Sequence, residues 1–271
     1  ESPLPKDEAL FTYVSHGYSI AFTNTSAAKG TVLWNFGDST TSAEENPVHT
    51  YAVKGTYLVT LTVTSGQSKT YSVFTRLNVN KATRIHLNDG TFSDWDAVTE
   101  KKFKVHLSDT IPDIVTAAKF DFDANMVYVY IKYRGVDSVW FDVEMDNDDN
   151  DSTGNTSWTW TGIGADYLIE GQLAAPGVNE SDFTTYIYNG TDWPNDQWAW
   201  GDKVFPAGYI TIGTVKVQGG FTTIEFGISR AKVPGLNNDV VKWGIMLSDP
   251  VSWNEIGDVP DPGEAFTIDM K

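Results

Sequence analysis

The sequence predicts an all-β protein made of two sandwiches, a small one followed by a larger, jelly-roll-like one. Three observations point there. Short apolar runs alternate with period two along nearly the whole chain, and turn residues punctuate them at close intervals. Periodic helical stretches are scarce. Charge also divides the chain: residues 1–80 hold five Lys/Arg against six Asp/Glu, whereas residues 81–271 hold fourteen against thirty.

In the first segment, Tyr18–Phe22, Val32–Phe36, Tyr57–Val63 and Thr70–Val79 read as strands. Asn24-Thr25, Gly37-Asp38-Ser39, Lys54-Gly55 and Ser65-Gly66 supply the turns between them. The join Leu77–Thr83 contains no Gly or Pro, so we place a short connection there and divide the chain into residues 1–81 and 82–271. In the second segment Ser93 is positioned to cap a short helix over Asp94–Val98. Strands are expected over Ala117–Asp123, Met126–Tyr133, Ser138–Met145, Thr184–Tyr188, Tyr209–Val217, Thr222–Ile228, Val240–Leu247 and Ala265–Met270. Nine or ten strands with little helix suit one larger sandwich.

Composition excludes several functions. A net charge of −17 is the wrong sign for a nucleic-acid backbone. With no cysteine there is no disulfide framework, thiolate metal site or Cys nucleophile. The apolar runs are too short to cross a bilayer. The four His form no His-x-x-x-His pair, and no Gly-x-Ser-x-Gly or phosphate loop appears. Carboxylates are abundant enough for a glycosidase pair, but they cluster where an ion accounts for them.

That cluster is the loop Asp146-Asn147-Asp148-Asp149-Asn150-Asp151, with four carboxylates in six residues. Such a loop repels itself unless water screens it or a cation sits in it. Asp146, Asp148 and Asn150 have the alternating spacing that turns oxygens toward one point, as calcium requires. Asp151 and Ser157 stand where an EF-hand needs Gly and Glu, so this is a different loop. The competing reading is a solvated polar turn capped by its own Asp and Asn side chains.

Trp placement suggests a ligand. Trp158, Trp160, Trp193, Trp198 and Trp200 lie among Asn, Asp, Gln, Thr and Gly, whereas Trp140 and Trp243 are flanked by aliphatic residues as core Trp usually are. An indole in a polar loop has to be covered by something. A sugar ring, with an apolar C–H face and a rim of hydroxyls, is its chemical complement. Were the strand continuous, Trp158 and Trp160 would share a face, as would Trp198 and Trp200. Otherwise two or three of these rings plug the ends of the sandwich.

Two resemblances sharpen this reading. Trp34-Asn35-Phe36-Gly37-Asp38, His49-Thr50-Tyr51 and Gly55-Thr56-Tyr57 resemble the signature of the PKD domain, an immunoglobulin-like module. Asn35 stands where that family has Asp, and Ser39 where it usually has Gly. The resemblance implies structural roles for these residues and a spacer role for the domain. Asp89-Gly90, Asp94-Trp95, Met145–Asp148, Gly164-Ala165-Asp166-Tyr167 and Ile224-Glu225-Phe226 resemble the family 9-like carbohydrate-binding sandwich domains. That family's use of calcium implies a structural ion at Asp146 and Asp148 and adds Asp166 as a ligand; Asp94 and Trp95 read as a structural corner rather than a site.

The expectation is therefore non-catalytic polysaccharide or oligosaccharide binding by a secreted or cell-surface monomer. The paired modules resemble bacterial surface lipoproteins of glycan uptake. This implies a lipidated residue before Glu1 and partners in outer-membrane transport or glycan hydrolysis. A structural or adhesive spacer without a glycan site is the main alternative. An accessory region of a secreted glycoside hydrolase is the other.

Overall fold

The structure is a computed structural model, which describes residues 9–66, 68–98, 114–135, 138–173, 178–191, 195–260 and 262–270. The chain separates into two compact units, Glu1–Thr83 and Arg84–Lys271. Both are all-β, and among the described residues the helical segments are two short 3-10 turns.

The first unit contains β1 (Phe11–His16), β2 (Ser19–Asn24), β3 (Gly30–Asn35), β4 (Thr41–Ser42), β5 (Val48–Thr50), β6 (Gly55–Ser65) and β7 (Thr70–Val79). They form a three-stranded sheet, β1-β2-β5, and a four-stranded sheet, β4-β3-β6-β7. Alternation in β6 buries Val59, Leu61 and Val63 and turns Thr60 and Thr62 the other way. Ile20 and Phe22 from one sheet meet Trp34 and Leu61 from the other in a single core.

The signature residues are structural here. Trp34 is fully buried and donates from Nε1 to the carbonyl of Glu44 at 3.0 Å. Tyr51 donates its hydroxyl to the carbonyl of Phe36. His49 stacks on Phe36 with centroids 4.0 Å apart, and its Nε2 lies 2.7 Å from Asp38 Oδ2. Ser39 adopts φ 73°, a left-handed conformation that explains why glycine suits this position.

The second unit opens on the 3-10 turn Ser93–Ala97. Ser93 is its first residue and does not cap it; Phe92 holds the capping position without a side-chain bond. Trp95 is buried with Ile85 and Tyr128, and its Nε1 donates to Glu225 Oε2 at 2.8 Å. Glu225 is itself fully buried and accepts a second bond, through Oε1, from the Thr214 amide.

The strands that follow are β8 (Val115–Phe122), β9 (Met126–Arg134), β10 (Val139–Asp146), β11 (Tyr167–Leu173), β12 (Phe183–Tyr188), β13 (Trp200–Asp202), β14 (Ile210–Gln218), β15 (Phe221–Ser229), β16 (Val240–Ser248), β17 (Glu255–Val259) and β18 (Phe266–Asp269). One sheet has the order β14-β15-β9-β8. The other has seven strands, β13-β12-β11-β10-β16-β17, with β18 also paired to β16. Val129, Ile131, Ile224 and Phe226 of the first sheet pack against Phe141, Val143, Trp243 and Ile245 of the second. Phe141 and Phe226 meet edge to face at 5.3 Å.

The position of the site follows from the alternation in β10. Val139, Phe141, Val143 and Met145 enter the core. Trp140, Asp142, Glu144 and Asp146 therefore occupy the outer face of the seven-stranded sheet.

Candidate functional site

The acidic loop grows from the end of β10 and is held by its own backbone. Asp146 Oδ1 accepts the amides of Asp148 at 3.2 Å and Asp149 at 2.8 Å. Asp166 Oδ2 accepts the amide of Asn147 at 3.1 Å, and Asn147 reaches the carbonyl of Pro234. Asp146, Asp148 and Asp166 each place a carboxylate oxygen within 4.8 Å of the others. Asn150 is turned differently: its Oδ1 accepts from Ser152, so as placed it serves the turn.

A cation sits on one flank of this loop. Lys242, opposite Asp146 on β16, places Nζ 3.4 Å from Asp146 Oδ2 and 3.1 Å from Asp149 Oδ1, and it also pairs with Asp151. One positive charge is thus shared among Asp146, Asp149 and Asp151, and Asp148 and Asp166 lie outside these ion pairs. Burial raises the Asp166 carboxyl to about 6, helped by the negative charges of Asp148 and Asp146. Burial also raises Asp146, against the pull of Lys242. Three hard oxygens, one of them buried, are a donor set that suits calcium.

The loop Trp do not form a continuous strand. Ser157 takes φ 60° between two isolated bridges, Asn155 to Ala165 and Trp160 to Gly263. Trp158 is left 66% exposed, while Trp160 is fully buried. Trp160 as a sugar-stacking residue is therefore corrected. Its ring lies against Gly244, where any Cβ would collide at 2.1 Å, and Nε1 donates to the carbonyl of Pro260. With Ile163, Ala165, Met246 and the partly buried Trp200 it forms a small satellite core on the outer face of the sheet. Trp200 also meets Tyr188 edge to face at 5.3 Å.

Trp198 is 77% exposed. Its loop is tied to that of Trp158 by Asn155, whose Nδ2 donates to the carbonyl of Gln197 at 2.9 Å. Trp193 lies outside the described residues.

Sequence reasoning missed the outer face itself. Trp140, read as a core residue because aliphatics flank it, lies on that face and donates from Nε1 to Glu170 Oε1 at 2.9 Å. Its ring meets Trp253 at 4.8 Å. Glu170 stands directly across from Asp142 on β11, and Glu144 follows two residues along β10. Burial pushes Asp142 up to about 8, helped by the negative charges of Glu170 and Glu144. Burial likewise lifts Glu144 to about 7 against a hydrogen bond from Ser157. The signal was present: Trp140, Asp142 and Glu144 alternate, so the indole had to share its face with the acids.

Comparison with known proteins bears chiefly on the first unit. Residues 5–79 match the PKD domain family. Collagenase ColA of Bacillus cereus is 51% identical over 49 residues, which are 18% of this chain and 5% of the collagenase. The chain thus spans a small fraction of that relative. The PKD1 domain of the Vibrio cholerae metalloprotease PrtV is 33% identical over 26% of this chain and 93% of that one, with a TM-score of 0.25. A solved carbohydrate-binding module of the β-sandwich superfamily aligns at 14% identity over 83% of this chain and 93% of its own, with a TM-score of 0.27. The N-terminal unit is a PKD domain, and it precedes a larger β-sandwich.

Proposed function

We propose that the second unit binds carbohydrate without transforming it, with the PKD domain as its spacer, in a protein that works outside the cell. One observation carries this reading. Trp158 and Trp198 present exposed indoles on two loops joined by the Asn155–Gln197 bond and seated on the Trp160 core. Aromatic plates edged by Asn, Gln and Asp complement the apolar face and hydroxyl rim of a sugar. Trp200 packs against the Trp160 core, and the loop at Asp146, Asp148 and Asp166 holds calcium as a structural ion. Retardation in native gels containing neutral polysaccharides tests the reading. Trp158→Ala and Trp198→Ala should each weaken retardation with little change in melting temperature. Retardation by every polysaccharide that is indifferent to both substitutions would return the protein to the spacer reading.

A second reading has its own support. The collagenase match favours an accessory region of a larger secreted enzyme, in which the same sugar-binding unit would anchor a catalytic neighbour.

A further inference from the structure

The outer face of the four-stranded sheet β14-β15-β9-β8 carries a charge opposite in sign to that of the unit as a whole. On β9, Ile131 and Tyr133 are buried, so Lys132 and Arg134 point the other way. On β14, Val215 packs against the core and the exposed Lys216 faces out with them. Lys216 and Lys132 flank Thr223 of β15, one on each side. Strand geometry sets their backbones about 7 Å apart along β9 and about 10 Å apart across the sheet.

These cations are not answered from within the chain. Among the described residues, no carboxylate forms an ion pair with Lys132, Arg134 or Lys216. Elsewhere the unit engages its cations internally: Lys242 holds three aspartates, and Arg230 holds the carbonyls of Asp123 and Leu236. The acids that these four strands turn outward are Asp121, at the far end opposite Tyr128, and Glu225, buried under Trp95. Asp89 and Asp94 of the opening turn serve their own loop, accepting the amides of Thr91 and His86. Residues 81–271 hold thirty acids against fourteen bases, so three such cations on one face run against the composition.

Aromatic rings floor the patch. Lys132 Nζ lies 4.9 Å from the centroid of Phe221, and Lys216 Nζ lies 5.7 Å from that of Phe92. Cation–π attraction holds both ammonium groups over half-buried rings. The same rings offer apolar surface to the C–H face of a sugar.

This geometry narrows the partner. On so open a face a small anion would meet one cation at a time. A nucleic-acid duplex carries a charge every 1.7 Å or about that, and a chain of net charge −17 repels it. A glycan with carboxylate or sulfate on some of its sugars carries sparser charge, which separate cations can meet singly while ring faces lie between them. The Arg134 fork pairs with such a group through two bonds.

We propose that Lys132, Arg134 and Lys216, floored by Phe221 and Phe92, form a docking face for an acidic polysaccharide and recognise its carboxylate or sulfate groups. The proposal rests on the carbohydrate-binding reading but uses the other sheet from the Trp158–Trp198 platform.

The test is isothermal titration of the full chain with polygalacturonate, dextran sulfate and unmodified dextran. At least one polyanion should bind, and its affinity should fall about tenfold or more between about 50 mM and about 500 mM salt. Whichever binds identifies the anion. Lys132→Gln, Arg134→Gln and Lys216→Gln together should weaken that binding about tenfold or more, while Trp158→Ala leaves it unchanged. Arg134→Gln with Lys216→Gln, both at exposed positions, keeps the test valid if Lys132→Gln disturbs the sheet. Failure of both polyanions to bind, binding indifferent to the charge substitutions, or equally tight binding of single-stranded DNA overturns the docking face. Retardation by neutral polysaccharides through Trp158 and Trp198 reads the platform separately, so either idea can fail without the other.

Discussion

Lys242 lies directly across the sheet from Asp146, and one ammonium group reaches three carboxylates of the same loop. The carboxylate of Asp146 is fully buried and the lysine half-buried. Removing one partner of such a pair leaves a charge without compensation, at a typical cost of about 3 kcal/mol. Lys242→Met should therefore lower the melting temperature measured in chelator. It should also tighten calcium binding, because a competing positive charge is gone. A variant that melts like the wild type in chelator would show that the loop does not depend on this lysine.

Calcium itself should raise the melting temperature of the second unit. A ligand that binds the folded state alone stabilises by about 2.7 kcal/mol at a hundredfold excess over its dissociation constant. Asp148→Asn and Asp166→Asn should abolish the shift. Calorimetric scans that coincide with and without calcium would reduce the loop to a solvated turn held by Lys242.

The loop indoles should separate by role. Trp160→Ala removes a fully buried ring and should cost about 3–5 kcal/mol of stability. Trp158→Ala and Trp198→Ala should each change stability by about 0.5 kcal/mol or less, while costing about 2 kcal/mol of glycan affinity. Chemical denaturation alongside native gels reads both quantities.

Asp142 gives the second unit a pH dependence. Its carboxyl is raised from 3.8 to about 8 in the fold, chiefly by burial. Between those values the folded chain binds a proton that the unfolded chain has released, so stability falls as pH rises through this window. A loss of about 2 kcal/mol would lower the melting temperature by about 4–8 °C in a unit of this size. Asp142→Asn should reduce the slope between pH 5 and pH 8, leaving the part that Glu144 and Asp166 contribute below pH 7. A wild-type profile that rises over this interval would contradict the burial of this carboxyl.

Residues 82–271 expressed alone should fold, because each unit encloses its own core. Circular dichroism of that fragment checks the division; an unfolded spectrum would show that the second unit leans on the first.

The strands were legible because each buries one face, and period-two alternation records that burial directly. β6 and β7 follow from the alternating Val, Leu and Thr alone. The acidic loop was legible for a similar reason: its charge density has to be answered, and Lys242 supplies an answer that no local pattern reveals, from 91 residues away in the sequence. Trp158 and Trp160 show the limit. Both sit in the same polar stretch, and the bend at Trp158 and Thr159 between them leaves one in solvent and the other on Gly244. Trp140 shows the opposite error, since its aliphatic neighbours face the core while its own ring does not. Local composition identifies what kind of residue a segment contains; the register with neighbouring strands decides where that residue points.

Glu225 sets where the second unit can be trimmed. The carboxylate, buried between the sheet and the opening turn, depends on Trp95 for one donor and on Thr214 for the other. A fragment started at the first strand, Val115, would look complete by strand count yet would strip that indole away and leave an acid facing an emptied apolar space. Residues 84–98 therefore act as a lid that the sandwich cannot shed. A minimal fragment of the second unit has to begin before them, however little they contribute to the sheets.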